Sequence, residues 1–278
     1  MFNLHDELQK INITRPGMPL VMGILNVTPD SFSDGGEFFD QKHIESRVLQ
    51  MIEEGTDIID IGGESTRPGA EKVSLDIELE RVLPVIEWIK ARFNVPVSVD
   101  TYKTKVMAEA ISLGADMIND VNALQSEGAV KLASETGVTV CLMHKKGNPE
   151  NMQAAPYYDD VIEEVSQFLE ARAKACLSAG IEKNKIILDP GFGFGKTLTH
   201  NTQLFNELSD LLDLNYPILV GVSRKRMIGE LLDNATLEKR LHGSVAAAVL
   251  AGMKGASIVR VHDVAPTVEA LKVVAHLV

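Results

Sequence analysis

Eight short runs, apolar almost throughout, recur along the chain, with polar turns and helical patterns between them. The runs are Leu20–Asn26, Asp57–Ile61, Val95–Val99, Asp116–Asp120, Val138–Met143, Lys185–Asp189, Pro217–Val222 and Ser257–Val261. Near-continuous apolar character, rather than strict alternation, is the mark of parallel strands buried on both faces. In the intervening segments the apolar positions step by three and four. Leu75, Leu79, Val82, Ile86 and Ile89 form one such stripe, and Ile162, Val165, Leu169, Ala173 and Cys176 another. Pro84 falls inside the first and predicts a kink there. Val264, Val268, Leu271 and Ala275 predict a closing helix.

Eight strands alternating with helices predict an α/β protein with a closed (β/α)8 TIM barrel. The competing architecture, an open doubly wound sheet, normally has fewer strands and a glycine-rich first turn. The first turn here, NVTPDSFSDGG, is long and polar. No compositional break suggests a linker, so the reading is a single barrel domain over residues 16–278 behind a short N-terminal extension, residues 1–15.

Composition removes several classes of function. Of 278 residues, 45% are hydrophobic and 24% charged, as expected of a globular enzyme, and the formal net charge is −12. An acidic chain has no electrostatic footprint for nucleic acid or for a membrane surface, so any anion site must be local. Cys141 and Cys176 lie in apolar segments and read as buried free thiols. The N-terminus, MFNLHDELQK, lacks a basic-then-apolar leader, and no apolar run reaches membrane length. The expectation is a reducing, cytoplasmic compartment.

Catalytic residues of a barrel sit where its strands end. These strands run into Asn26, into Gly62 to Gly69, and into Asp100, Asn119-Asp120, His144, Asp189, Ser223-Arg224-Lys225 and Arg260-Val261-His262. Helix capping accounts for one such residue at a time, but not for Asn, Asp, Lys, Arg and His converging on one rim. Arg67, Lys225, Arg260 and His262 suit an anionic substrate such as a phosphate ester. Asp100, Asn119 and Asp189 are buried acceptors that need donors, as the N–H edge of a flat heterocycle would supply. Asn26 offers a hard oxygen suited to Mg2+. The glycine-rich stretch after Asp189, LDPGFGFGKT, ends like a phosphate-binding loop, but Pro190 stands where that loop requires its first glycine. Its glycines instead predict a tight turn passing close to a flat ligand.

Taken together, MGILNVTPDSFSDGG, DIGGESTRPGA, SVDTYK, MINDVNAL, LDPGFGFGKT, GVSRKRMIG, RLHGSVAAAVLA and IVRVHDV resemble, in order, the motifs of the dihydropteroate synthase family. That family joins 6-hydroxymethyl-7,8-dihydropterin diphosphate to 4-aminobenzoate and works as a homodimer. The resemblance implies Asn26 as ligand of a Mg2+ cofactor, and Thr66, Arg260 and His262 as diphosphate contacts. It implies Asp100, Asn119, Asp189 and Lys225 around the pterin, and Ser65, Arg67, Gly193, Phe194 and Ser223 around 4-aminobenzoate. Asp34, Arg67 and Lys225 are the implied catalytic positions, Asp34 as an anionic neighbour of a cationic intermediate. The loops from Thr28 to Gly36 and from Ser65 to about Glu71 are implied to close over the substrates. The partners so implied are small molecules and a second copy of the chain.

A dissociative displacement follows from this: the diphosphate leaves with help from Mg2+ and the cationic rim, and the amine then attacks with its own lone pair. His144, in His-Lys-Lys-Gly, reads as part of a solvated loop. Lys196 reads as uninvolved, so that Lys196→Ala is expected to be nearly silent. Glu64, with no second carboxylate at a convincing spacing, reads as structural. Two alternatives remain: a pterin-binding methyltransferase barrel, which needs neither the diphosphate rim nor the TPDSFSDGG loop, and a non-catalytic pterin-binding paralogue, which would have lost part of the rim.

Overall fold

The computed structural model describes residues 2–15, 17–28, 41–65, 72–147, 152 and 155–277. Within them, eight parallel strands form one sheet: β1 (Leu20–Asn26), β2 (Ile58–Gly62), β3 (Val97–Asp100), β4 (Met117–Asp120), β5 (Thr139–Met143), β6 (Ile186–Asp189), β7 (Leu219–Val220) and β8 (Ile258–Val261). Their order is β6-β5-β4-β3-β2-β1-β8-β7. A parallel bridge between Leu188 and Ile218 brings β6 against the start of β7 and closes the barrel. Strand β7 is shorter than its apolar run predicts. Pro217 has no N–H to give to a ladder, and Ile218 contributes as an isolated bridge.

The helices are α1 (Leu4–Thr14), α2 (Gln41–Glu53), α3 (Leu75–Lys90), α4 (Thr104–Ser112), α5 (Ala129–Thr136), α6 (Val161–Ser178), α7 (Leu198–Asn206), α8 (Arg226–Leu231), α9 (Leu241–Met253) and α10 (Val264–Leu277). Helix α3 continues through Pro84. Cys141 and Cys176 are free and buried. None of the described helices is long and apolar enough to cross a membrane.

Strand side chains alternate between faces, and two separate apolar cores result. Val21, Leu25, Ile59, Ile61, Val97 and Val99 point outward and pack with the helices. Leu20, Met22, Ile58, Met117, Cys141, Ile187, Leu219 and Ile258 point into the barrel. Phe2, Leu4 and Ile11 join this inner core, so α1 plugs the N-terminal end of the barrel. Arg15 holds that plug, donating from Nη2 to both carboxylate oxygens of Asp57 at 2.9 Å. Two steps further along each strand, the inward positions fall at the opposite mouth.

Candidate active site

At that mouth the inward parity selects polar residues. Asp60 on β2 is fully buried, and its Oδ2 accepts from Arg260 Nε at 2.6 Å and from Asn119 Nδ2 at 3.2 Å. Arg260 Nη2 donates to Asp100 Oδ2 at 2.8 Å. Four strands thus meet through one guanidinium, two carboxylates and one amide. The two carboxylates share a single cation, and Asp60 Oδ1 and Asp100 Oδ1 are buried without a hydrogen-bond partner. Burial pushes the Asp100 carboxyl up to about 7, against the pull of Arg260 and with Asp60 adding its negative charge. For Arg260, burial acts to lower the pKa and is outweighed by Asp60 and Asp100, which hold the guanidinium charged. Asp60 was not among the sequence candidates. Its signal is a carboxylate at an inward position of the otherwise apolar IIDIG.

Asp189 and Lys225 face each other on the far side. Asp189 is raised by burial and pulled back by Lys225, while Lys225 is lowered by burial to about 8 with Asp189 opposing. Asp189 Oδ1 accepts from Gly191 N at 2.7 Å. Lys225 Nζ donates to the Phe192 carbonyl and lies 4.7 Å from the centroid of the Phe194 ring.

The glycine turn is explained differently from the expectation of a close-lying ligand. Gly191 and Gly195 adopt φ of +67° and +65°, and a Cβ on them would fall 1.8 Å from the His144 carbonyl oxygen and 2.1 Å from that of Lys146. What approaches these two glycines is the backbone of the β5 loop. Only Gly193, with φ +81°, looks toward the site, where a Cβ would meet Lys225 Cδ at 3.4 Å.

His144 corrects the sequence reading, and Lys196 is buried against it. His144 is not solvated but 5% exposed, and Lys196 is 2% exposed. Lys196 Nζ contacts His144 Nδ1 at 3.0 Å and donates to the carbonyls of Gly191 at 2.9 Å and Phe194 at 3.3 Å. Burial, with the Lys196 charge beside it, holds His144 far below its usual range, so the neutral ring accepts at Nδ1. Burial lowers Lys196 to about 7. Thr197, which completes the phosphate-loop likeness, is the N-cap of α7, in a capping box with His200.

Ser223 and His262 come together. The Ser223 Oγ accepts from His262 N at 3.1 Å and lies 3.1 Å from its Nδ1. Between Ser223 and Lys225, Arg224 takes a left-handed turn (φ +56°), with its guanidinium on both oxygens of Asp263 at 2.9 and 2.6 Å.

Asn26 ends β1 in register with Gly62, which is in turn in register with Asp100. A Cβ on Gly62 would lie 3.6 Å from Asn26 Oδ1 and 3.9 Å from Asp100 Oδ2. The missing side chain therefore leaves a gap flanked by two hard oxygens. Among the described residues no group of three or more His, Cys, Asp and Glu could hold a metal. A single amide oxygen at an open mouth fits Mg2+, which keeps its waters and borrows phosphate oxygens. Glu64 is engaged structurally, paired with Lys103 and accepting from Tyr102 Oη at 3.0 Å. Ser65 lies where the chain leaves β2, half-buried. Asp34, Thr66 and Arg67, with most of both loops, lie outside the described residues.

The sequence profile of the family described as pterin binding enzyme matches residues 22–262. The dihydropteroate synthase of Escherichia coli K12 is 54% identical over 256 residues, covering 92% of this chain and 90% of the relative. Among solved structures, the Yersinia pestis dihydropteroate synthase with a sulfonamide drug complex superposes with a TM-score of 0.89 at 52% identity, covering 94% of each chain. The Xanthomonas albilineans dihydropteroate synthase with 4-aminobenzoic acid gives a TM-score of 0.88 at 50% identity over 94% of this chain and 93% of that one.

Proposed function

The chain belongs to the dihydropteroate synthase family of pterin-binding transferases, and on that premise we propose that it joins 6-hydroxymethyl-7,8-dihydropterin diphosphate to 4-aminobenzoate, yielding 7,8-dihydropteroate and diphosphate. The observation that carries this reading is the buried carboxylate oxygen at the mouth, Asp100 Oδ1, that lacks a donor. A buried acceptor of this kind is costly unless a ligand supplies N–H groups, and the donor edge of a pterin does so.

In this reading Asp100, Asn119 and Asp189 accept from the pterin, and Lys225 donates to its polar edge. Arg260, pinned by two carboxylates, presents its remaining N–H groups, and His262 presents its ring, to the diphosphate. Mg2+, held by Asn26 and diphosphate oxygens, would neutralise charge on the leaving group. The methylene–oxygen bond breaks with its electron pair going to the diphosphate, and the electron-rich pterin spreads the positive charge left on the methylene. The amine of 4-aminobenzoate, lying along Ser65, Gly193, Phe194 and Ser223, then forms the carbon–nitrogen bond and gives up a proton to solvent. No protein nucleophile is needed. The working unit in this reading is a homodimer.

Purified chain supplied with both substrates and Mg2+ should form dihydropteroate and diphosphate in equal amounts. Sulfonamides should compete with 4-aminobenzoate, in line with the drug-bound Y. pestis relative. Lys225→Ala should bind the pterin substrate poorly. Absence of dihydropteroate from the wild-type reaction sinks the proposal.

A further inference from the structure

Lys196 is a buried lysine whose hydrogen-bond partners among the described residues include no carboxylate. Its three partners are neutral: His144 Nδ1, the Gly191 carbonyl and the Phe194 carbonyl. A buried ammonium whose only opposing charge, Asp189, acts from outside hydrogen-bonding contact is costly, and an apolar side chain of similar length would fill the same space more cheaply. Its geometry supplies a reason for its presence. Gly191 and Phe194 are the two ends of one turn, closed by Phe194 N donating to the Gly191 carbonyl at 3.1 Å. One ammonium therefore ties together both ends of that turn and pins it to His144 on the neighbouring loop. The turn is gripped from its other sides as well. Tyr158 Oη donates to the Gly195 carbonyl at 2.9 Å, and Asn201 Oδ1 accepts from Gly193 N at 2.8 Å.

What the turn carries is the seat of Lys225. The Phe192 carbonyl accepts from Lys225 Nζ, and the Phe194 ring lies 4.7 Å from it. The Phe192 carbonyl lies between the two residues that Lys196 binds, and the Phe194 ring belongs to one of them. We propose that Lys196 is a positioning residue for the transfer reaction: it fixes the turn from Gly191 to Phe194 so that the Phe192 carbonyl and the Phe194 ring hold the Lys225 ammonium against the pterin edge. Lys196 touches neither substrate, and the effect passes entirely through Lys225. The inference rests on the synthase reading and deepens it, replacing the expectation that Lys196→Ala is nearly silent.

The test is a double-mutant cycle on the full chain with Lys196→Met, Lys225→Ala and the pair, measuring kcat, both KM values and the thermal midpoint. Lys196→Met should raise the KM for the pterin diphosphate about tenfold or more, and it should add little in the Lys225→Ala background, because the group it positions is already gone. Val106→Ala, in the remote helix α4, serves as a stability control. It should lower the thermal midpoint and leave both KM values unchanged. The inference is overturned if Lys196→Met keeps wild-type KM values, or if its effect multiplies in full with that of Lys225→Ala. Should Lys196→Met fail to fold, His144→Phe, which removes one of the three partners and keeps a ring, is run through the same cycle with the same two readings. An inactive wild type would instead defeat the synthase reading, so the two failures are distinct.

Discussion

Lowering the pH from about 8 to about 6 should weaken binding of 6-hydroxymethyl-7,8-dihydropterin about tenfold. The free alcohol is the suitable ligand because it lacks the diphosphate, whose own protons titrate nearby. Asp100 is held up to about 7, chiefly by burial, with Arg260 opposing and Asp60 adding a like charge across the shared guanidinium. An acceptor for two N–H donors has to be ionised. The ionised fraction falls from about nine-tenths at pH 8 to about one-tenth at pH 6, equivalent to about 1.4 kcal/mol of apparent affinity. The sign for stability is the reverse. The folded value of Asp100 lies above its unfolded value of about 4, so its contribution to stability is complete below that value and is lost as pH rises through about 7. The ligand-free protein therefore gains stability from Asp100 over the range where the ligand loses affinity. Lys225, Asp189 and Arg260 face the same space, and Lys225 titrates near 8, so the measurement is isothermal titration calorimetry on wild type and Asp100→Asn side by side. The variant should bind more weakly with a flattened profile. A wild-type affinity that is constant across this range, or an equally steep profile in Asp100→Asn, refutes the argument.

Three other outcomes follow from the same geometry. Gly193→Ala should cost about 1–2 kcal/mol for its left-handed backbone. Gly191→Ala should cost about 1–3 kcal/mol more, because its methyl would overlap the His144 carbonyl; urea denaturation of the two variants checks the order. Arg260→Met leaves Asp60 and Asp100 without their cation and should destabilise the chain by about 3–5 kcal/mol near pH 8, with a smaller loss near pH 5 where Asp100 takes up a proton. Chelating Mg2+ should abolish turnover and leave binding of the pterin alcohol intact, as read by assay and calorimetry on one preparation.

Much of the fold was legible because parallel strands buried on both faces leave an apolar run that no other element mimics. β1 spans the residues its run predicts, β4, β5, β6 and β8 stay within theirs, β2 and β3 run one residue further to Gly62 and Asp100, and β7 is shortened at both ends, with Pro217 at its start. The polar strand ends were legible for the same reason, since Asp100, Asn119 and Asp189 interrupt apolar runs. Asp60 was hidden one layer deeper. Its run, IIDIG, reads as apolar, and only the partners on β4 and β8 show that the carboxylate is used. His144 was misread because His-Lys-Lys-Gly is polar in isolation, and the burial of Lys196 was not visible in Gly-Lys-Thr. That the two loops fold onto each other and bury one charge between them is a matter of tertiary packing, which local composition does not record. The same holds for Gly191 and Gly195: their need for a bare Cα was visible, but not the neighbour that requires it.

In the proposed reaction this rim breaks a carbon–oxygen bond and holds the resulting cation for an amine. Pterin diphosphate carrying 18O in the oxygen that bridges carbon and phosphorus follows that bond. The label should leave in the released diphosphate when 4-aminobenzoate is present. When it is absent, substrate recovered from the enzyme and Mg2+ should show the label scrambled between bridging and non-bridging positions. Label retained on the pterin alcohol would mean phosphorus–oxygen cleavage, and unscrambled recovered substrate would mean that no cation is held long enough for the diphosphate to turn. Either result is incompatible with a held cation formed by carbon–oxygen cleavage.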